Sequence, residues 1–239
     1  MFFKGINHYG DLGLILDFGS DSSQQISQEV NAVYALIQDL DMPQLNIIPS
    51  FNKIVLAFQN SKERNQAQDA IEHNLTKANL TDFQKDRKIW DIPACYEDSY
   101  ALDRELIQTT HGLTKEEVIF KHTGTSYYAY YIGFMPGFPY LGDIDPSLIT
   151  PRLATPRIQI PARSIGIAKE HTCVYPKVSP GGWNIIGQVP FDIFSMEHSR
   201  TSLFLPGDTV QFQSISEKEF LQIHSKHLAF DEIIKEFSK

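Results

Sequence analysis

Five basic residues, Arg152, Arg157, Arg163, Lys169 and Lys177, fall between Tyr131 and Val189 and face only three acids there, Asp143, Asp145 and Glu170. That stretch is therefore formally +2 within a chain of −8. Positive charge gathered among turns of an acidic protein marks a site for a carboxylate or phosphate, the alternative being that the arginines pair with surface acids elsewhere. Arg157 follows Pro156 and can offer a bidentate fork, and Arg152 stands at the far end of the same proline-bounded loop. His171 and His122 titrate near neutrality in their ordinary state, which makes them the candidate proton carriers. In the PGFPYL run (136–141) two prolines fix φ and Gly137 permits a turn. Phe138 and Tyr140 are thus presented on a stiff loop, to bind a ligand or to plug the end of the domain. In the SPGGW run (179–183), Gly181 and Gly182 allow close backbone approach ahead of Trp183, either as an anion nest or as a hairpin turn.

Other patterns carry less. Residues 162–166, ARSIG, nearly spell a nucleophile elbow but lack its first glycine and its strand-turn-helix setting, so Ser164 is not assigned as a nucleophile. His224 and His227 lie three apart on a predicted helix with no third ligand nearby and read as a solvated face, so no metal site is expected. Neither GxxxxGK[ST] nor GxGxxG occurs, which leaves no autonomous nucleotide site. Cys95 and Cys173 form no CxxC pair and are expected as buried small residues. The acidic balance, with no basic stripe interleaved with aromatics, argues against a nucleic-acid binder. No apolar run is long enough to cross a bilayer, and the opening MFFKGINHYGDLG lacks a signal-peptide layout, so a cytoplasmic protein is expected.

The elements that must position these residues follow from periodicity and punctuation. Gly124 to Pro190 holds eight of the fourteen glycines and nine of the thirteen prolines, interleaved with short apolar runs. Such a segment predicts short strands joined by tight turns, hence a closed or nearly closed β-barrel, with a sandwich equally compatible. Upstream, strands at Phe3–Tyr9 and Leu12–Phe18 precede a helix capped by Asp21, Ser22 or Ser23 and striped with Ile26, Val30, Val33, Ile37 and Leu40. Strands at Gln44–Ile48 and Lys53–Phe58 and a helix starting at Asn60 or Ser61 complete a ββαββα α+β unit. The polar run TDFQKDRK (81–88) predicts a linker, with domains at 1–82 and 83–239. Beyond it come a strand at Ile89–Cys95, a helix at Leu102–Thr110 ended by Gly112, and a capping box from Thr114 to Glu117 on a short helix ending near His122. Strands follow at Tyr127–Phe134, Trp183–Val189, Phe191–Phe194 and Thr209–Ile215, then helices at Ser216–His224 and Ala229–Phe237.

The central stretch resembles the B subunit family of bacterial 5-oxoprolinase, also described as allophanate hydrolase subunit 1 or the Kip inhibitor family. The matching residues are Gly133, Phe134, Pro136 to Leu141, Asp145, Pro146, Thr155 to Arg157, Pro161, Ala162, Ser164, Gly166 to Ala168, Thr172, Tyr175, Pro176, Ser179 to Trp183, Ile186 and Gly187; His122 also matches. The resemblance implies a small N-terminal α+β domain followed by a mainly β, cyclophilin-like barrel. It implies ATP-dependent opening of 5-oxoproline to glutamate, with ATP and its magnesium counter-ion as cofactors and the A and C subunits, the latter carboxyltransferase-like, as partners. Within that picture Arg157, Phe138, Tyr140, Tyr175, Gly181, Gly182 and Trp183 are the expected substrate- or anion-binding residues, with His171 and His122 the catalytic candidates. A kinase-inhibitor role or a urea- or allophanate-processing role is the alternative. Where relatives read AGSVGIAGxQTGIYP this chain reads ARSIGIAKEHTCVYP, so that Arg163, Lys169, Glu170, His171 and Cys173 depart from the pattern, as does Gln188 in place of an arginine.

Overall fold

Period-2 apolar alternation builds both halves of the protein. In the computed structural model, which describes residues 2–44, 46–83 and 87–239, the chain divides into two compact units, Met1–Asp86 and Arg87–Lys239. The first contains β1 (Gly5–Tyr9), β2 (Gly13–Asp17), α1 (Gln24–Asp39), β3 (Asn46–Pro49), β4 (Lys53–Ala57) and α2 (Ser61–Leu75). Its antiparallel sheet runs β1-β2-β4-β3. Leu14 and Leu16 of β2 and Ile54 and Leu56 of β4 are fully buried in one cluster with Val30, Val33 and Ile37 of α1 and Ala67 and Ile71 of α2. Ser23 caps α1 by accepting from Ile26 N, and Asn60 caps α2 by accepting from Glu63 N. Of the strand expected at 44–48, Leu45 lies outside the described residues, as do residues 84–86 of the expected linker. Leu80–Phe83 form a 3-10 turn.

The second unit contains β5 (Ile89–Cys95), α3 (Arg104–His111), α4 (Lys115–Thr123), β6 (Ser126–Ile132), β7 (Pro139–Gly142), β8 (Arg157–Ile160), β9 (Ser164–Ala168), β10 (His171–Val174), β11 (Ser179–Gly181), β12 (Asn184–Gln188), β13 (Thr209–Ile215), α5 (Glu217–Ser225) and α6 (Phe230–Phe237). Seven strands close a barrel in the order β10-β7-β6-β13-β5-β12-β9, while β8 and β11 make a separate two-stranded ribbon. Alternate residues point inward: Trp90, Ile92 and Ala94 from β5, Tyr127 and Ala129 from β6, Ile165 and Ile167 from β9, Val210 and Phe212 from β13. The pairing of β5 with β13 is parallel. Asp208 pins its start, accepting from Trp90 Nε1 (2.9 Å), Lys88 N (3.1 Å), Leu205 N (3.0 Å) and Arg200 Nη2 (3.0 Å).

Gly112 takes the left-handed conformation that ends α3 (φ 66°), and Thr114 and Glu117 form the capping box of α4. Phe191–Phe194, expected as a strand, is not one. Pro190 offers no N–H to a ladder, Phe191 and Ile193 are drawn into the core, and the segment's one isolated bridge joins Phe194 to Ser202. Phe191 packs on Phe237 of α6 with ring centroids 5.0 Å apart.

Candidate functional site

Because side chains alternate across a strand, the barrel has an outer face that must be covered or used. On β7 and β10, paired through Leu141 and Thr172, Leu141 and Val174 enter the barrel core, whereas Tyr140 and Cys173 join a second cluster outside it. This second cluster brings the two glycine-proline loops together. Phe138 is fully buried, edge-on to Tyr175 (5.1 Å), Trp183 (5.6 Å) and Tyr140 (5.2 Å). Tyr140 in turn stacks on Tyr131 at 5.4 Å and meets Trp183 edge-on at 5.8 Å. Edge-to-face contacts of this kind each add about 0.5–1.5 kcal/mol beyond the area they bury. Phe138 and Tyr175 therefore form the packed floor, and half-exposed Tyr140 forms the wall above it.

Small residues make that packing possible. A Cβ at Gly181 would collide with Tyr175 Oη, and one at Gly166 would lie 3.1 Å from Trp183 Cβ and 3.3 Å from Cys173 Sγ. Gly181 lies in β11, and neither it nor Gly182 has positive φ. The glycines serve close approach of neighbouring side chains, and the left-handed alternation of an anion nest is not formed. Gly137 differs: its φ is +79° and a Cβ would sit 2.6 Å from the Phe194 ring. Gly137→Ala is expected to cost roughly 1–3 kcal/mol through overpacking and strain, read as a lower urea midpoint.

The five cations of the central stretch part company. Arg157, expected as the anion receptor, already has its anion: Nη1 and Nη2 donate to Asp103 Oδ2 and Oδ1 at 2.7 and 2.6 Å. Asp103 is 6% exposed and also accepts from Ile185 N at 2.7 Å. This ties the β8 ribbon to β12, and a fork held by a buried carboxylate is not offered to a substrate. Lys177 lies over the Phe194 ring at 5.2 Å, Arg163 lines a different recess, and Lys169 is exposed beside His171.

Arg152 is the cation placed at the aromatic cluster. Its loop is clamped on both sides, by Asn184 Nδ2 donating to Pro151 O (2.8 Å) and by Leu153 N donating to Gly182 O (2.7 Å). Its Nε lies 3.6 Å from where a Cβ on Gly182 would stand, and its charge reaches the Tyr140 and Tyr175 hydroxyls. Among the described residues no ion pair engages the Arg152 guanidinium, which is exposed.

His171 sits in the same wall, its ring 6.2 Å from those of both Tyr130 and Tyr140. Burial lowers its pKa, against the opposing pull of Glu170 and Asp143, so at pH 7 the imidazole is neutral. Burial raises the pKa of Tyr140, whose hydroxyl stays protonated and can donate. Tyr130 Oη donates to Asp143 at 3.0 Å. His122, the other proton-carrier candidate, is enclosed in the barrel core. Its ring nitrogens meet Tyr96 Oη (2.8 Å) and Thr172 Oγ1 (3.0 Å), and burial drives its pKa down to about 3. A histidine so enclosed fixes α4 to the barrel and exchanges no proton with a surface ligand. Ser164 is buried within β9, Gln188 donates to Ala162 O at 2.8 Å, and Cys95 and Cys173 are both free and buried.

Sequence reasoning had no means to find Asp103, which stands before α3 like a helix cap but makes no side-chain cap bond. Tyr130 and Tyr131 were legible only as members of an aromatic strand.

Comparison with known proteins places this architecture. Residues 4–204 match the family model of the carboxyltransferase domain, subdomain C and D. The 5-oxoprolinase B subunit of Bacillus subtilis (strain 168) is 33% identical over 227 residues, covering 90% of this chain and 94% of that protein. The 5-oxoprolinase B subunit of Escherichia coli O157:H7 is 34% identical over 190 residues, 78% of this chain and 85% of its own length. The crystal structure of TTHA0988 superposes with a TM-score of 0.73 at 27% identity over 85% of this chain, which spans only 40% of that longer protein.

Proposed function

The chain belongs to the family of 5-oxoprolinase B subunits, and on that premise we propose that it acts as one component of an ATP-dependent 5-oxoprolinase. The reaction is 5-oxo-L-proline, ATP and water to L-glutamate, ADP and phosphate, carried out in a heteromeric complex with the A and C subunits. The observation that carries the reading is Arg152, on a loop clamped at Pro151 and Leu153, near Gly182 and within electrostatic reach of Tyr140, with no ion pair among the described residues. The substrate is a small flat lactam bearing one carboxylate. Arg152 takes the carboxylate, the half-exposed Tyr140 ring packs on the lactam with buried Trp183 supporting it from behind, and neutral His171 and the Tyr140 hydroxyl hydrogen-bond its amide.

Among the described residues no group of three His, Cys, Asp or Glu side chains is arranged to hold a metal ion. In this reading ATP and its magnesium counter-ion belong to the complex, and no residue of this chain is assigned to them. What this chain contributes is a bound, oriented lactam, and the phosphoryl donor approaches from the other side of a shared site. The same reading takes the barrel as cyclophilin-like, the N-terminal unit as the family's α+β domain and the protein as cytoplasmic. No helix among the described residues is long and apolar enough to cross a membrane.

The test is reconstitution. Purified chain is mixed with the A and C subunits, and 5-oxoproline-dependent ATP hydrolysis is followed; turnover is expected only when all three are present. Equal turnover by the other two without this chain would overturn the proposal.

A further inference from the structure

A second recess in the barrel unit, a cavity of about 450 Å³, lies between the 190–198 segment and the C-terminal helices α5 and α6. Phe191, Phe194, Ile223, Leu228 and Phe230 give it apolar walls, and Arg163, Asp192, Glu197 and His224 supply polar groups. The matched family segment ends at residue 204, so the helical wall lies beyond it. Cavities of this size hold small ligands.

Arg163 is the residue out of place. Its φ is +68°, a region where glycine is at ease and a side chain costs roughly 1–2 kcal/mol. The backbone is held there by Arg163 N donating to Tyr175 O (2.6 Å) and Val189 N donating to Arg163 O (3.0 Å). Residues kept in sparsely populated conformations collect at functional sites. The guanidinium is also short of acceptors. Its Nε is buried and has no hydrogen-bond partner among the described residues. Nη1 lies 3.2 Å from His224 Nδ1, but that nitrogen is 2.9 Å from Pro190 O, which can only accept. An Nδ1 that donates to the carbonyl has no lone pair left for the arginine. What remains is Asp192, 3.9 Å away with its side chain 67% exposed. The acceptor that completes a planar, half-desolvated guanidinium is a carboxylate.

A plain carboxylate would also meet the acids at the mouth, Asp192 and Glu197, both exposed. Asp231, the third acid of the lining, is already engaged by His198 at 2.9 Å. A cation above and carboxylates beside it, over apolar walls, suit a molecule carrying both charges on one carbon. We propose that this recess binds a free α-amino acid with an apolar side chain, its carboxylate on Arg163, its ammonium on Asp192 and Glu197, and its side chain against Phe191, Phe194 and Leu228. The recess shares no lining residue with the aromatic cluster and does not include Arg152, and its ligand is an effector distinct from the lactam.

Isothermal titration of the full chain tests this with L-leucine and L-phenylalanine, N-acetyl-L-leucine, which lacks the ammonium, and L-leucinamide, which lacks the carboxylate. The free amino acids are expected to bind, with each half-charged analogue weaker by about tenfold or more. Arg163→Gly suits the left-handed backbone, so its melting temperature should equal or exceed that of the parent while affinity falls by at least about tenfold. Three results each overturn the proposal: no binding of either amino acid up to about 10 mM, unchanged affinity in folded Arg163→Gly, or N-acetyl-L-leucine binding as tightly as L-leucine.

Discussion

Arg157→Met is expected to destabilise the barrel unit by roughly 3–5 kcal/mol, because it strands the Asp103 carboxylate at 6% exposure with only one backbone N–H left to accept from. The methionine fills most of the space, so the loss reports the orphaned charge and not a cavity. Both tryptophans, Trp90 and Trp183, lie in the barrel unit, and their fluorescence in urea reads that unit alone. Adding Asp103→Asn to Arg157→Met should recover part of the loss, since an amide is far cheaper to bury unpaired than a carboxylate. If Arg157→Met instead unfolded at the parent midpoint, the pair would carry no stability and Arg157 would return as a free anion receptor.

Acid should weaken the same unit through His122. Burial lowers its folded-state pKa from 6.5 to about 3, so between those values the unfolded chain holds a proton that the folded chain refuses. More protons on the unfolded side mean that stability rises with pH. The stabilisation is fully present well above pH 6.5 and falls as pH drops below it, by up to about 1.4 kcal/mol per pH unit, until the folded-state pKa of about 3 is approached. Carboxylates add their own acid sensitivity, which is why a variant is needed. His122→Gln cannot titrate and can still bond Tyr96 and Thr172, so its urea midpoint should fall less than the parent's between pH 7 and 4.5. Parallel pH profiles for the two proteins would show that the buried imidazole contributes nothing to acid unfolding.

Local signals carried most of the fold. The span from Thr209 to Gln213 alternates polar and apolar residues, and the strand runs Thr209–Ile215. Gly112 ends its helix in the left-handed conformation, and Thr114 and Glu117 close their box, because each depends on neighbours within a turn. Barrel against sandwich was not legible, since the choice rests on the closing pair β9 and β10 and on the parallel pairing of β5 with β13. The hairpin of β9 and β10 is itself local, but it closes a barrel only because strands far apart in sequence, β5 and β13 above all, pair as well.

The site was legible as a place more than as a set of roles. The two glycine-proline runs do meet, through Phe138, Trp183 and Tyr140. Arg157 and Arg152 look alike in sequence, yet Asp103, 54 positions away, engages one, while Asn184 and Gly182 position the other. His122 and His171 were equal candidates until burial separated them: one is enclosed on all sides and the other stands in the wall of the outer face. Nothing local distinguishes a histidine that braces a core from one that meets a ligand.

The claim on which the functional account rests is that Arg152 receives the substrate carboxylate. Its most direct test is the KM for 5-oxoproline of the reconstituted three-component complex, with the parent chain and with Arg152→Gln. Because Arg152 is exposed, the variant should fold and assemble as the parent does, and KM should rise about tenfold or more. An unchanged KM and kcat in the assembled variant would contradict the account and move the substrate away from this face of the barrel.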